Sequence, residues 1–293
     1  MDIRPADGGH AGEIKTVTAN GVEFAYLEAG RGPLALCLHG FPDTAYTWRH
    51  LMPELAARGY RAVAPFMRGY APTSVPPDGA YEGDALVADA CALHEALGGD
   101  GDAVLIGHDW GALPVYGATA LAPERWRTGI AMALPPAGTL LETFFDYEQL
   151  KRSFYVFLFQ TGLAETAAAR EGFVEGLWRD WSPGYDATED VAFVRRSLGA
   201  PANLTAAIGY YRAMLGTVAP TGHHAAGRPA AGRDVPILYL HGVRDGCLGV
   251  EQVDGAVSFL PPGSRMEHVL QAGHFLHLER PREVNNLVLG WLA

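Results

Sequence analysis

The 293 residues predict an α/β fold, a mostly parallel, doubly wound sheet that carries an inserted helical cap. Three observations predict it. Short apolar, β-rich runs alternate with helical stretches from residue 34 to about 134, and the pattern resumes after 235. Such alternation implies right-handed crossovers within one sheet. Between those parts the chain turns helical and rich in aromatics, and with 48% apolar residues it can bury a sizeable core.

In chain order, EIKTVTAN and VEFAYLEAG alternate as strands do and are joined by Asn20-Gly21, a strong hairpin signal. LALCLHG (34–40) reads as a buried strand in which Cys37 is a small hydrophobe. YRAVAPF (60–66) is a second such strand. A helix is expected from Gly83 to Leu97, stopped at Gly98-Gly99. DAVLIGHD (102–109) reads as a strand, followed by a helix from about Trp110 to Leu121, and RTGIAMALP (127–135) as the next strand. The character changes at Leu134-Pro135-Pro136. FFDYEQLKRSFYVFLFQ, FVEGLWRDW and IGYYRAM then supply the cap helices. APTGHHAAGRPAAGRD (219–234) reads as the linker leading out of the cap. VPILYLHGVRD (235–245) resumes the buried-strand pattern. SRMEHVLQAGHF (264–275) reads as helical, with His268 on strand-like backbone inside it, and a last helix starts at Pro281. The core is thus assigned to 1–134 and 221–293 and the cap to 135–220. Ligands of such sheets bind beyond the carboxyl ends of the strands, here under the cap.

Charge and composition exclude several functions. A net charge of −11 opposes sequence-independent nucleic-acid binding and docking on an anionic membrane. The N-terminus has no apolar secretory stretch, and no apolar run approaches the roughly 20 residues of a membrane span. Cys37, Cys91 and Cys247 are scattered and odd in number, unlike a disulfide framework. A soluble cytoplasmic protein is expected, without cofactor; a homodimer is compatible with this reading.

Gly107-His108-Asp109-Trp110-Gly111 follows a strand and opens a helix, in the small-x-nucleophile-x-small pattern of a nucleophile elbow. The central residue occupies a strained turn, and larger side chains two places away on either side would clash as strand and helix close. An ordinary turn with Asp109 as helix cap is the plainer alternative. Two further residues weigh against it. Asp245 comes just after a strand and His274 sits in the late turn Gln271-Ala272-Gly273-His274, so the order is nucleophile, acid, histidine. Asp254 reads as helical and is set aside. His277 reads as packed or solvated, and His223-His224 in the linker make no metal site. His39-Gly40-Phe41-Pro42 ends an early strand, where the Phe41 N–H can converge with that of Trp110 as an oxyanion hole. His39 reads as a loop brace, and a cis bond before Pro42 suits the motif.

These residues, with the Arg68-Gly69-Tyr70 loop, resemble the epoxide-hydrolase and haloalkane-dehalogenase branch of the α/β-hydrolase family over essentially the whole chain. The chemistry agrees. A carboxylate is ionised at neutral pH and suits attack on an sp³ carbon, giving an alkyl–enzyme ester that histidine-activated water then hydrolyses. An epoxide leaves as an alkoxide and benefits from an acid. Tyr155 in SFYVFLFQTGLAE and Tyr211 in GYYRAM resemble the two lid tyrosines of epoxide hydrolases, with Tyr210 the competitor for the second place. Phe159 and Met214, beside them, join Phe41 and Trp110 as expected substrate-binding residues. A halide would need N–H donors such as Trp110 with Trp178 or Trp181. The asparagine of many haloalkane dehalogenases is replaced by Phe41, and the arginines of fluoroacetate-type enzymes by Trp110 and Leu113. The resemblance therefore implies an epoxide hydrolase using Asp109, His274 and Asp245. Haloalkane or haloacid dehalogenation is the second reading, and a non-catalytic ligand receptor the third.

Overall fold

The computed structural model describes residues 13–139, 144–216 and 234–293. Strands β1 (Lys15–Ala19) and β2 (Val22–Gly30) form the expected hairpin. Its turn residues Asn20 and Gly21 have φ of 47° and 72°, the positive angles that an Asn-Gly pair tolerates. β3 (Leu34–Leu38), β4 (Arg61–Pro65), β5 (Val104–His108), β6 (Thr128–Met132), β7 (Ile237–Gly242) and β8 (Arg265–Val269) are joined by parallel pairings. The sheet runs β1-β2-β4-β3-β5-β6-β7-β8. Strand order reverses at β3, so the crevice beyond the ends of β3 and β5 is the natural ligand site. β3, β5, β6 and β7 are buried at every position, which explains their unbroken apolar runs.

Helices α1 (Met52–Ala57), α2 (Gly83–Ala96) and α3 (Ala112–Leu121) connect the early strands. Between β6 and β7 the described residues hold no strand and are mostly helical, with α4 (Tyr147–Arg152), α5 (Phe154–Leu158), α6 (Ala164–Ala168), α7 (Phe173–Trp181), α8 (Thr188–Leu198) and α9 (Pro201–Met214). The chain closes with α10 (Leu276–Glu279) and α11 (Pro281–Leu292). Among the described residues no helix is long and apolar enough to cross a membrane.

Polar bonds tie the inserted helices to the core, and three groups of them lie around the loops that follow the strands. At the end of α7 the Trp181 carbonyl accepts from the Gly246 and His274 N–H groups at 3.1 and 3.0 Å. Next to it, Ser182 donates to Glu279 and accepts from the Phe275 N–H. On α4 the buried Gln149 amide donates to the Cys247 carbonyl at 2.8 Å. Above the 68–71 loop, Tyr210 donates to the Arg68 carbonyl at 2.9 Å, Asn203 to that of Gly69 and Ser197 to that of Ala71.

That loop is held from beneath by a buried ion pair. The Arg68 side chain is inaccessible and grips Asp89 of α2 through two bonds of 2.6 Å. Asp89→Ala would leave a guanidinium buried without its counter-charge, a change that costs about 3–5 kcal/mol. Chemical denaturation should show that loss as a lower midpoint with unchanged slope.

Two sequence expectations need correction. SRMEHVLQAGHF is not helical: β8 takes Arg265–Val269, a turn follows, and α10 begins at Leu276. Met266, Val269 and Leu270 recur at helical spacing, yet β8 is an edge strand whose only buried residue is Val269; an edge strand exposed along one side loses its alternation. Asp254 lies in an exposed turn, not in a helix. The linker assigned to 219–234, with His223 and His224, lies outside the described residues except for Asp234.

Candidate active site

Asp109 stands between β5 and α3 with φ of 51°, a left-handed backbone angle that costs a non-glycine residue about 1–3 kcal/mol. The flanking glycines make that turn sterically feasible. A Cβ on Gly107 would lie 1.9 Å from the Gly111 carbonyl oxygen, and one on Gly111 would lie 2.2 Å from that of Leu38. The elbow spacing is therefore a packing requirement at the β3–β5 end of the sheet.

Asp109 is almost fully buried, and each carboxylate oxygen has a distinct neighbour. The Phe41 N–H donates to Oδ1 at 2.7 Å, beside a cis Phe41–Pro42 bond. His274 Nε2 faces Oδ2 at 3.6 Å. On its other side, His274 Nδ1 donates to Asp245 Oδ2 at 2.9 Å. The second Asp245 oxygen accepts the Cys247 and Leu248 N–H groups at 2.7 and 2.9 Å. Asp109, His274 and Asp245 thus form one contiguous chain of polar groups.

Burial alone would strip His274 of its proton. The Asp245 and Asp109 carboxylates more than offset that and raise its pKa to about 10. Burial pushes Asp245 the other way, but the imidazolium and its hydrogen bonds hold its carboxyl below the usual range. The neighbouring histidines behave differently. His108, between strand and nucleophile, donates from Nε2 to the His274 carbonyl at 2.9 Å, and burial drives its pKa down to about 3. His39 accepts the Met67 N–H and contacts the Gly40 carbonyl, as a loop brace should. His277 is packed, bonded to Thr47, and His268 is exposed on β8.

A cavity of about 630 Å³ opens on Asp109 and is lined by Trp110, Tyr155, Tyr211, Cys247 and Leu248 at that end. Both tyrosines are buried, their rings 5.4 Å apart and nearly perpendicular. Burial raises each hydroxyl well above the usual tyrosine range, so each keeps its proton. The Tyr211 hydroxyl has no partner at hydrogen-bond geometry, although the Trp110 indole lies close enough to offset a little of the burial effect. Tyr210, one residue earlier, lies outside the cavity lining and donates to the Arg68 carbonyl.

The other expected contact residues divide. Trp110 lines the cavity with its indole edge-on to Tyr211. Phe41 contributes its N–H to Asp109, and its ring packs against Tyr155, Phe159 and Tyr211. Phe159 is fully buried behind that cluster and is not on the cavity wall. Met214 lines the cavity at its rim, 47% exposed. Trp178 cannot offer its indole N–H to a ligand, since it donates to the Pro42 carbonyl at 2.9 Å. Cys247 was not singled out by sequence. Its Sγ lies 3.4 Å from the Tyr155 hydroxyl, and burial keeps the thiol protonated; its place two residues after the acid was the available signal.

Comparison with known proteins shows the family. A family model described as alpha/beta hydrolase fold matches residues 33–281. The chain is 32% identical to epoxide hydrolase A of Mycobacterium tuberculosis, over 95% of this chain and 97% of that protein. It is 42% identical to an epoxide hydrolase of Caballeronia sordidicola over 120 residues, a match that spans 36% of that protein. Among solved structures, Bacillus megaterium epoxide hydrolase in complex with an inhibitor aligns with a TM-score of 0.79 at 28% identity, covering 95% of this chain and 99% of that one.

Proposed function

The chain belongs to the α/β hydrolase fold family and, within it, to the epoxide hydrolases, and from that premise we propose that it opens an epoxide to a vicinal diol through an alkyl ester on Asp109. Oδ2, the oxygen free of the Phe41 N–H, attacks an epoxide carbon from the far side of the C–O bond that breaks. The departing alkoxide takes a proton from Tyr155 or Tyr211. Oδ1 becomes the ester carbonyl and stays in the reach of the Phe41 N–H.

The second step falls to His274. Alkylation makes Asp109 neutral and removes one of the two carboxylates that hold the imidazolium proton. That proton can then pass to the tyrosinate, which leaves His274 as a base for water, with Asp245 holding its orientation. Water attacks the ester carbonyl carbon as its proton passes to His274, and the charge on Oδ1 is met by the Phe41 N–H. The Cγ–Oδ2 ester bond then breaks, and the proton of the new carboxyl passes to the departing oxygen, which releases the diol and restores the Asp109 carboxylate. The second oxyanion donor is assigned to the Trp110 N–H. The helices of 135–220 are assigned as the lid that carries both tyrosines over a core of 1–134 and 221–293.

One observation carries the reading. Tyr155 and Tyr211 share a cavity with Asp109, and the Tyr211 hydroxyl is buried there without a partner. A halide would need N–H donors instead, and of the two cap tryptophans that could join Trp110 in that role, Trp178 already donates to the Pro42 carbonyl. The test is Tyr155→Phe and Tyr211→Phe, which remove a hydroxyl and keep the ring. Each should slow alkylation by about 10²-fold, in the range of general-acid contributions, and the pair should nearly stop it. Tyr210→Phe serves as the contrast and should affect stability more than turnover. Near-wild-type epoxide opening by the double variant, or halide release faster than epoxide opening by the wild type, would overturn the assignment.

A further inference from the structure

We infer that the substrate is an epoxide carrying a long, uncharged apolar arm, and that this arm lies along the outer face of α3. The inference rests on the proposed reaction and adds where the rest of the molecule goes. The cavity of about 630 Å³ equals the volume of roughly twenty liquid waters, far more than a small epoxide needs. Part of its lining follows one helix. From Asp109 and Trp110 its wall continues through Leu113, Tyr116, Gly117, Ala120 and Leu121. These positions recur at three and four residues, which is one face of a helix.

Leu113 to Leu121 spans a rise of about 12 Å, the length of an extended chain of about eight to ten carbons. Gly117 lets α2 close in as a side wall: a Cβ there would lie 2.3 Å from the Val87 side chain, which also lines the cavity. Leu134, Pro135 and Ala137, just after β6, line the cavity as well. At the rim Asp84, Ala120 and Ala137 are exposed, so the far end of the arm reaches solvent.

The charge of the lining decides the arm's chemistry. Among the described lining residues only Asp84 and Asp109 are charged, and none is cationic. Among the described lining residues a carboxylate at the end of the arm would find no cation, on a chain of net charge −11. A neutral arm meets only apolar wall, and each buried methylene adds to binding.

The test uses terminal epoxides of four, eight and ten carbons, and a ten-carbon counterpart with a terminal carboxylate. In the wild type kcat/KM should rise by about two- to fourfold per methylene up to eight to ten carbons, as burial of a CH₂ implies. The carboxylate counterpart should be at least tenfold poorer than the neutral ten-carbon substrate. In Ala120→Trp, a change at an exposed site that the fold should accept, the ten-carbon to four-carbon ratio of kcat/KM should fall at least tenfold, through KM. If chain length has no effect in the wild type, or the ratio survives in Ala120→Trp, the placement of the arm is refuted while the reaction stands. An equally good carboxylate substrate would refute the uncharged arm. If no epoxide of any length is opened, the reaction is refuted and the arm assignment with it.

Discussion

Replacing Asp109 by alanine should lower epoxide turnover at least about ten-thousand-fold, in the range seen when an enzyme loses its attacking nucleophile. The acid and the thiol beside it cannot take its place. Both oxygens of Asp245 are committed, one to His274 and the other to two backbone N–H groups. Burial keeps the Cys247 thiol protonated, so it offers no thiolate. The fold should survive, because the elbow glycines and the β3–β5 packing are untouched. Loss of the carboxylate also removes one of the two charges that raise the His274 pKa, so an NMR titration of that imidazole should move to lower pH. Circular dichroism would check the fold and diol assay the activity. Residual turnover above about one per cent of wild type would falsify the ester route, since loss of a nucleophile costs far more.

His274→Ala should give the second large effect, of a different kind. Attack by Asp109 needs no base, so the variant should still be alkylated. Hydrolysis of the ester should stall, and multiple turnover should fall by at least about 10³-fold, as when a general base is lost. Intact-mass measurement after mixing with an epoxide should show one adduct of the substrate's mass, located to the peptide containing Asp109. An adduct elsewhere, or none despite binding, would separate the two residues from the roles assigned here. Asp245→Asn should give a milder version, because the imidazole loses its orienting anion.

Much of the architecture was legible because its signals are local. Gly107 and Gly111 are required by contacts of 1.9 and 2.2 Å within the elbow and its neighbouring strand, so chemistry and sterics coincide in five consecutive residues. Buried parallel strands read as apolar runs, and Asp245 and His274 follow β7 and β8 in the order the fold uses. What could not be read depends on how helices meet. Tyr210 and Tyr211 differ by about 100° around α9, and only the packing of α9 on the 68–71 loop decides which hydroxyl is used up by Arg68. Phe159 was expected at the substrate and lies behind the tyrosines. Its direction is set by packing against Phe41 and Tyr211, not by the short helix it follows. The β8 strand was misread because an edge strand with a single buried residue carries no period of two.

The polar ties between the inserted helices and the sheet bear on kinetics. They attach α7 to the turn carrying His274, α4 to the loop following Asp245, and α8 and α9 to the loop above Arg68. Lifting the helices as one body would break all three sets and pull the acid and base out of register. With the helices seated, entry is expected sideways, over α3, past the exposed Asp84, Ala120 and Ala137. Encounter should be a single bimolecular event, with an observed association rate that rises linearly with substrate concentration and reaches no plateau set by a gate.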